Sequence, residues 1–258
     1  MRQRNLTEGN ITKNLLFFAF PMMAGNLLQQ CYNIADTLIV SRFLGANALA
    51  AVGSSYTLMT FLTSILLGMC MGSGAAFSIW YGQKDRKRLK EGMVHAFGLI
   101  AAVTVVLNII VFAGLPLILR LLQVPAQVMP YMEDYLKIIF VGISATFLYN
   151  YFAALLRAIG NSVVPLVFLG VSAVLNIVLD FLFVFTFQRG VGGAAEATVI
   201  SQFVSGVGIA VYTQKYFPEL RVSLKEICFR GKMLNEIAGF SFLTCMQQSI
   251  MNLSLIHI

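Results

Sequence analysis

Two aspartates interrupt long apolar runs of the sequence, Asp36 in LQQCYNIADTLIV and Asp180 in VLNIVLDFLFVF. A carboxylate inside a membrane costs about 2.5–3.5 kcal/mol, so each needs a partner or a function. Asn176 lies one helical turn before Asp180 and shares its face, and Thr198 lies in the next apolar run. Two carboxylates, an amide and a hydroxyl can coordinate a small cation such as Na⁺. They could equally share a proton, because burial and mutual repulsion favour the neutral acid, or they could simply hydrogen-bond across helices.

The composition places these residues in a membrane protein. Hydrophobic residues make up 58% of the 258 residues, charged residues only 11%, and the mean hydropathy is +0.80. Soluble domains carry about 45–50% apolar and about 25% charged residues. So little charge cannot cover a water-facing surface, which excludes a soluble globular protein, a disordered chain and a nucleic-acid binder despite the net charge of +7. We expect an all-α polytopic protein whose first partner is the lipid bilayer.

Apolar stretches long enough to cross a bilayer, which takes about 20 helical residues, recur along the chain. They predict spans at 14–40, 49–80, 92–119, 135–156, 163–187 and 193–216, and a seventh helix beginning near Leu234. Pro21 lies inside the first span, removes one helical hydrogen bond and predicts a kink there. The four cysteines form no CxxC pair and the two histidines are isolated, so we expect no metal centre and no cofactor beyond a coupling ion.

The loops on one side of these spans hold most of the 18 Lys and Arg residues, including the run at 84–90. The positive-inside rule then places the N-terminus in the cytoplasm. In this orientation Asp36 precedes Arg42 by six residues, about 9 Å along a helix, and Asp180 precedes Arg189 by nine, about 13 Å. Both aspartates, together with Glu196, are therefore expected in the outer half of the membrane. Glu196 is close enough to the surface for hydration, so its role is left open between site residue and bystander.

Polar residues also collect on two spans, where lipid would not tolerate them. Gln29, Tyr32 and Asn33 precede Asp36, and Asn150 lies in the fourth span. We expect these faces to line a cavity for a ligand.

Two further patterns predict packing and membrane anchoring. Gly68 and Gly72, four residues apart, are typical of close helix packing. The tyrosines near the span ends predict anchors at the membrane interface: Tyr131, Tyr135, Tyr149 and Tyr151.

Several short motifs resemble those of multidrug and toxic-compound extrusion (MATE) transporters. They appear from the first span to the sixth, in order and at family-like spacing: FPM at 20–22, NIADT at 33–37, GA at 45–46, LAAVG at 49–53, RAIGN at 157–161, LNIVLD at 175–180, GAA at 193–195 and ATVIS at 197–201. Glu196 departs from the pattern, since an apolar residue is usual there.

The resemblance implies a fold of two six-helix bundles in a V shape with both termini cytoplasmic. It implies export of organic cations and drugs by antiport against Na⁺ or H⁺, by a monomer in the plasma membrane of a bacterium or archaeon. The cation site of the family's N-terminal bundle matches Asp36, Asn176, Asp180 and Thr198, of which the first three would hold Na⁺. Its cavity residues match Gln29, Tyr32, Asn33 and Asn150.

Four segments follow from the resemblance. Residues 1–13 are expected as a cytoplasmic segment, 14–216 as the N-terminal six-helix bundle, 217–233 as a basic cytoplasmic loop between bundles, and 234–258 as the start of the second bundle. The last residues, after about 252, do not continue the family pattern, which indicates a truncated or misread gene product and a fragment of the full transporter.

Three other functions compete with drug export. A lipid-linked oligosaccharide flippase of the same superfamily would need basic residues inside the bundle, where only Arg157 comes close. An intramembrane aspartyl protease also needs two membrane aspartates, but Ala35 and Leu179 precede them instead of the usual Tyr and Gly, so we do not expect an enzyme. The third alternative is an inactive membrane remnant, and it is supported only by the absence of the second six-helix bundle from this sequence.

Overall fold

The computed structural model describes residues 11–121, 123–222 and 230–256, and within these ranges every regular element is a helix. The elements are α1 (Ile11–Leu44), α2 (Ala46–Gly82), α3 (Arg86–Leu121), α4 (Met129–Ala158), α5 (Val163–Asp180), a π-helical turn (Phe181–Thr186), α6 (Gly190–Tyr216), a 3₁₀ turn (Pro218–Leu220) and α7 (Gly231–Ile256). The all-α prediction is confirmed. Residues 1–10 of the predicted N-terminal segment, 223–229 of the predicted basic loop, and the last two residues lie outside the described ranges.

The six predicted spans coincide with α1 to α6, and most of these helices extend a few residues beyond the prediction. Five helices of the described chain are long and apolar enough to cross a membrane: Ala46–Gly82, Arg86–Arg120, Met129–Ala158, Val163–Thr186 and Gly190–Tyr216. The predicted first span is absent from this set, although α1 has 34 residues. Its polar stretch around Asp36 lowers the mean hydropathy, which is the expected signature of a helix that faces a polar interior.

Two of the connections between helices depend on glycine. Gly45, the single residue between α1 and α2, has a φ of 82°, and Gly160 after α4 has a φ of 86°. Both angles lie in the left-handed region, which a residue without a side chain adopts at little cost. The next residue, Asn161, accepts a 3.1 Å hydrogen bond from the backbone N–H of Val164 and so satisfies the start of α5.

Five helices close a ring in the order α1, α2, α4, α6, α5, because each packs on the next and α5 returns to α1. The interior of this ring contains the cavity described below. α3 lies outside the ring against α2 and α4, with most of its surface exposed, as expected for a lipid-facing helix. The core between α2, α3 and α4 is built from large apolar side chains, among them Phe77, Trp80, Ile100, Met132 and Phe140.

Pro21 lies within α1, which continues as a helix on both sides of it. The side chain is half-buried and contributes nothing to the cavity wall. Its missing N–H remains a weak point in the hydrogen bonding of α1.

α7 packs closely along α2, and the two glycines predicted to mediate packing form the contact. A Cβ atom built on Gly68 would lie 2.4 Å from Cys245 Cα, and one built on Gly72 would lie 2.4 Å from the Phe240 carbonyl oxygen. The Ser73 and Ser241 hydroxyls lie 3.2 Å apart across the same interface. The packing prediction is therefore confirmed.

Ion pairs hold the beginning of α7 to α3. Arg88 donates to both carboxylate oxygens of Glu236, at 2.7 and 3.0 Å, and Arg230 Nη1 lies 3.4 Å from Glu91 Oε2. The backbone N–H of Arg230 donates to His95 Nε2 at 2.8 Å. These contacts hold the beginning of α7 against α3.

Replacing Gly72 by alanine should destabilise the protein by about 1–3 kcal/mol, because the added methyl group forces α7 away from α2. The measurement is the midpoint of thermal unfolding in detergent. Gly53→Ala is the matched control, since no atom lies within 4 Å of a Cβ at that position of the same helix. Equal midpoints for the two variants would contradict the proposed contact.

Candidate functional site

The two aspartates meet where α1 passes the end of α5. Asp180, the last residue of α5, is fully buried, and Asp36 on α1 is half-buried. Their carboxyl groups lie within hydrogen-bonding reach of each other. The structure thus joins two residues that are far apart in sequence into one acidic pair. Below, this pair is called the acid pair.

The acid pair lacks hydrogen-bond donors. At this site, four buried oxygens have no hydrogen-bond partner among the described residues: Asp36 Oδ1, Asn176 Oδ1, Asp180 Oδ1 and Asp180 Oδ2. Leaving a buried acceptor without a donor costs about 1–3 kcal/mol, and more when the group is charged. Donor-less oxygens grouped in this way favour a bound cation or a proton over a purely structural role, because either would satisfy them.

Asn176 and Thr198 extend the site from α5 to α6. Asn176, which is completely buried, donates through Nδ2 to Thr198 Oγ1 at 3.2 Å. This bond occupies the donor end of the amide and leaves its oxygen as an acceptor beside Asp180. The four residues predicted for cation coupling therefore lie together.

Two tyrosines flank the acid pair, and the sequence analysis assigned one of them wrongly. Tyr32 on α1 lies next to Thr198, Gln202 and both acids, as predicted for a residue of the polar interior. Tyr135 on α4 was predicted to anchor the membrane interface, but it is only 4% exposed and packs in a buried cluster with Val40 of α1 and Val184, which follow Asp36 and Asp180 by one turn. Its position near the N-terminal end of α4, at the depth of Asp36, was the signal that could have found it.

Tyr151 corrects the same prediction at the other end of α4. It is 3% exposed and its hydroxyl donates to the Met93 carbonyl oxygen at 2.7 Å, so it belongs to the core and not to the interface. Tyr149 is half-buried and donates to the Pro165 carbonyl oxygen at 3.0 Å. Of the four tyrosines, Tyr131 has the exposed surface expected of an anchor.

A polar cavity of about 260 Å³ occupies the ring of helices next to the acid pair. All four predicted cavity residues lie on its wall: Gln29, Tyr32, Asn33 and Asn150. Further polar residues, which the prediction missed, come mainly from α2 and α6: Tyr56, Thr60, Thr63, Thr146, Ser172, Gln202, Ser205 and Asn252.

The acid pair lies behind the cavity wall and not on it. Tyr32 and Thr198 line the cavity and also contact the acid pair or its neighbour Asn176, whereas neither aspartate belongs to the lining. The site has two adjoining compartments, an acidic one and a polar one, that share part of a wall.

Glu196 is separate from both compartments. Arg189 Nη1 donates to Glu196 Oε2 at 2.6 Å, and both residues line a second, open groove together with Asp134 and Lys137. The ion pair with Arg189 neutralises the carboxylate of Glu196, for which the sequence alone gave no role. Glu196 thus behaves as a bystander to the acid pair.

A helical membrane bundle with a buried acid pair beside a polar cavity defines a transporter-like protein. The MatE family model matches residues 21–182, more than half of the chain. The chain belongs to the MATE family, whose members are transporters rather than enzymes.

The relatives agree with this assignment. The probable multidrug resistance protein YpnP of Bacillus subtilis is 37% identical over 208 residues, which cover 80% of this chain and 46% of the relative. The multidrug export protein MepA of Staphylococcus saprophyticus is 30% identical over 242 residues, covering 91% of this chain and 52% of MepA. The chain therefore spans about half the length of the curated relatives it matches.

Solved structures show the same fold. A MATE protein in the bent conformation superposes with a TM-score of 0.89 at 25% identity, covering 96% of this chain and 55% of that one. A MOP superfamily transporter from Pyrococcus furiosus gives a TM-score of 0.90 at 24% identity, covering 99% and 57%.

Removing one charge of the acid pair should stabilise the protein. In sodium-free alkaline buffer we expect Asp180→Asn to raise the free energy of unfolding by about 1–3 kcal/mol, since the amide can donate to the remaining carboxylate. Thermal unfolding of the purified protein measures the gain. Asp134→Asn, at an exposed acid of α4, serves as the control and should leave the midpoint unchanged. A destabilised Asp180→Asn protein would show that the carboxylate already has a structural partner.

Proposed function

We propose that the complete protein is a secondary active transporter that exports organic cations or drug-like compounds by antiport against Na⁺ or H⁺. The observation that carries the proposal is the acid pair, buried without donors beside a polar cavity. The names of the relatives, which are multidrug resistance and export proteins, support the class of substrate.

The acid pair provides the coupling-ion site of the proposed transporter. Hard cations prefer oxygen ligands, and Asp36, Asn176 and Asp180 offer four oxygens that have no competing donor. Thr198 orients the Asn176 amide so that its oxygen is available. A proton shared by the two carboxyl groups would satisfy the same requirement, so the residues fit either ion.

The cavity suits a cation more than an anion. No Lys or Arg contributes to its described wall, while Tyr32, Tyr56 and Tyr149 offer aromatic rings that attract organic cations. Arg157, the basic residue on which a flippase would have to depend, is half-buried at the end of α4 and outside this wall. The negative charge behind the wall adds to the attraction while the acid pair is free.

The proposed transport cycle depends on the charge of the acid pair. Loading of one Na⁺ or H⁺ from the outside halves the negative charge of the acid pair and weakens its attraction for an organic cation, which then leaves the cavity. Binding linkage requires that the organic cation weaken ion binding by the same factor. We further propose that the weak point at Pro21 allows α1, which bears Asp36, to bend when the charge changes.

The remaining expectations belong to the same proposal. The basic residues between α2 and α3 support a cytoplasmic N-terminus under the positive-inside rule. A plasma-membrane location in a bacterium or archaeon and a monomeric complete protein are expected from the family resemblance.

Asp36→Asn and Asp180→Asn should each abolish ion-driven export by the complete protein, because an amide neither binds Na⁺ strongly nor releases a proton. The measurement is ethidium efflux from energised cells, with surface expression quantified on the same cells. Glu196→Gln is the matched control, since it makes the same acid-to-amide change outside the acid pair. Undiminished efflux by both aspartate variants at equal expression would refute the proposed coupling site.

A further inference from the structure

Two hydroxyl groups of the cavity wall, one on α2 and one on α6, donate their protons to backbone carbonyl groups. Thr63 donates to the Met59 carbonyl oxygen at 2.7 Å, and Ser205 donates to the Phe168 carbonyl oxygen at 2.9 Å. A hydroxyl group has one proton and two lone pairs. Toward a ligand in the cavity, these two hydroxyls can therefore only accept hydrogen bonds.

Two hydroxyl groups on α4 are engaged in the same way. Thr146 donates to Gln202 Oε1, and Tyr149 donates to the Pro165 carbonyl oxygen at 3.0 Å. Both side chains line the cavity. Like the hydroxyls on α2 and α6, they offer a ligand lone pairs and no proton. Below, these wall groups are called the acceptor hydroxyls: Thr63, Thr146, Tyr149 and Ser205.

The rest of the cavity wall can adapt to a ligand. Six carboxamide side chains line the described wall, and each offers a carbonyl oxygen as well as N–H donors. Within that described wall there is no Lys, Arg, Asp or Glu side chain. The polar groups whose role is fixed are therefore acceptors, and the amides can turn their oxygens toward the same ligand.

A wall of this kind distinguishes two types of organic cation. A protonated amine, an amidinium or a guanidinium ion loses hydrogen bonds to water when it enters a cavity, and it recovers them only where acceptors face it. A quaternary ammonium ion donates no hydrogen bond, so its entry would take water away from the acceptor hydroxyls and give nothing in return. A site that accepts hydrogen bonds from a ligand therefore discriminates against an analogue without donors.

We propose that the cavity selects organic cations that carry N–H donors, namely amidinium, guanidinium and protonated amines, over quaternary ammonium ions. The proposal rests on the proposed export of organic cations and narrows its class of substrate. The aromatic rings of Tyr32, Tyr56 and Tyr149 attract both types of cation through their charge. The acceptor hydroxyls separate the two types by the hydrogen bonds that each can donate.

The test compares benzamidinium with phenyltrimethylammonium on the complete purified protein. Both ions combine a phenyl ring with a single positive charge at neutral pH, but only benzamidinium carries N–H donors. Each ion is used to displace bound ethidium, which is followed by its fluorescence at constant pH and ionic strength. The selectivity ratio is the dissociation constant of phenyltrimethylammonium divided by that of benzamidinium. For the unmodified protein we expect a ratio of about 10 or more, which corresponds to about 1.4 kcal/mol.

Variants of the acceptor hydroxyls assign the selectivity to the wall. Thr63→Val, which replaces the hydroxyl by a methyl group, should lower the ratio about 3-fold by weakening benzamidinium binding alone. Ser205→Ala, on another helix, should act in the same direction. Thr104→Val is the matched control, because Thr104 on α3 makes the same 2.7 Å bond, to the Ile100 carbonyl oxygen, but does not line the described cavity wall. It should leave the ratio unchanged.

The contrary results separate this proposal from the proposed function. If ethidium does not bind to the complete protein, the export of organic cations is wrong and the selectivity falls with it. If ethidium binds and phenyltrimethylammonium displaces it as readily as benzamidinium does, the export of organic cations stands and the selection by N–H donors is overturned. The role of the acceptor hydroxyls is also overturned if Thr63→Val and Ser205→Ala both keep the full ratio, or if Thr104→Val lowers it equally.

Discussion

Two carboxyl groups that face each other in a buried site without donors dominate the physics of this protein. In a low-dielectric interior their repulsion and desolvation together oppose the doubly charged state. The pair is stable when a proton or a cation is shared between Asp36 and Asp180, and it is strained when neither is present. A site with such a strong difference between two charge states is suited to coupling, because ion binding releases free energy that the surrounding helices can use.

The ring of helices places the acid pair and the cavity next to each other but keeps them separate. α1 and α5 supply the acids, α6 supplies Thr198 and Gln202, and α4 closes the wall with Thr146. Apolar packing of α2, α3 and α4 provides the rigid side of the bundle, and α7 is fastened to it through Gly68 and Gly72. Tyr32 and Thr198 lie where the acid pair and the cavity adjoin, since both line the cavity and Thr198 also contacts Asn176.

Much of this arrangement could be predicted from the sequence. Hydropathy predicted the helices, because a bilayer requires long apolar segments, and motif resemblance predicted that Asp36 and Asp180 belong to one site. The contacts between distant segments could not be predicted in the same way. Tyr135 resembled an interface anchor because its position in sequence says nothing about which face of α4 it occupies, and that face is decided by packing on α6 and α2. The separation of the acids from the cavity wall depends likewise on how the side chains pack.

The central claim, that a cation or proton on the acid pair is exchanged for an organic cation in the cavity, can be tested by counting released ions. The complete purified protein in weakly buffered solution is titrated with ethidium, while a pH electrode and a sodium-selective electrode record the medium. The account predicts release of about one proton or Na⁺ for each ethidium bound, since linkage makes the two occupancies exclude each other, and no release from the Asp36→Asn/Asp180→Asn protein. Stoichiometric ethidium binding without release of either ion would contradict it.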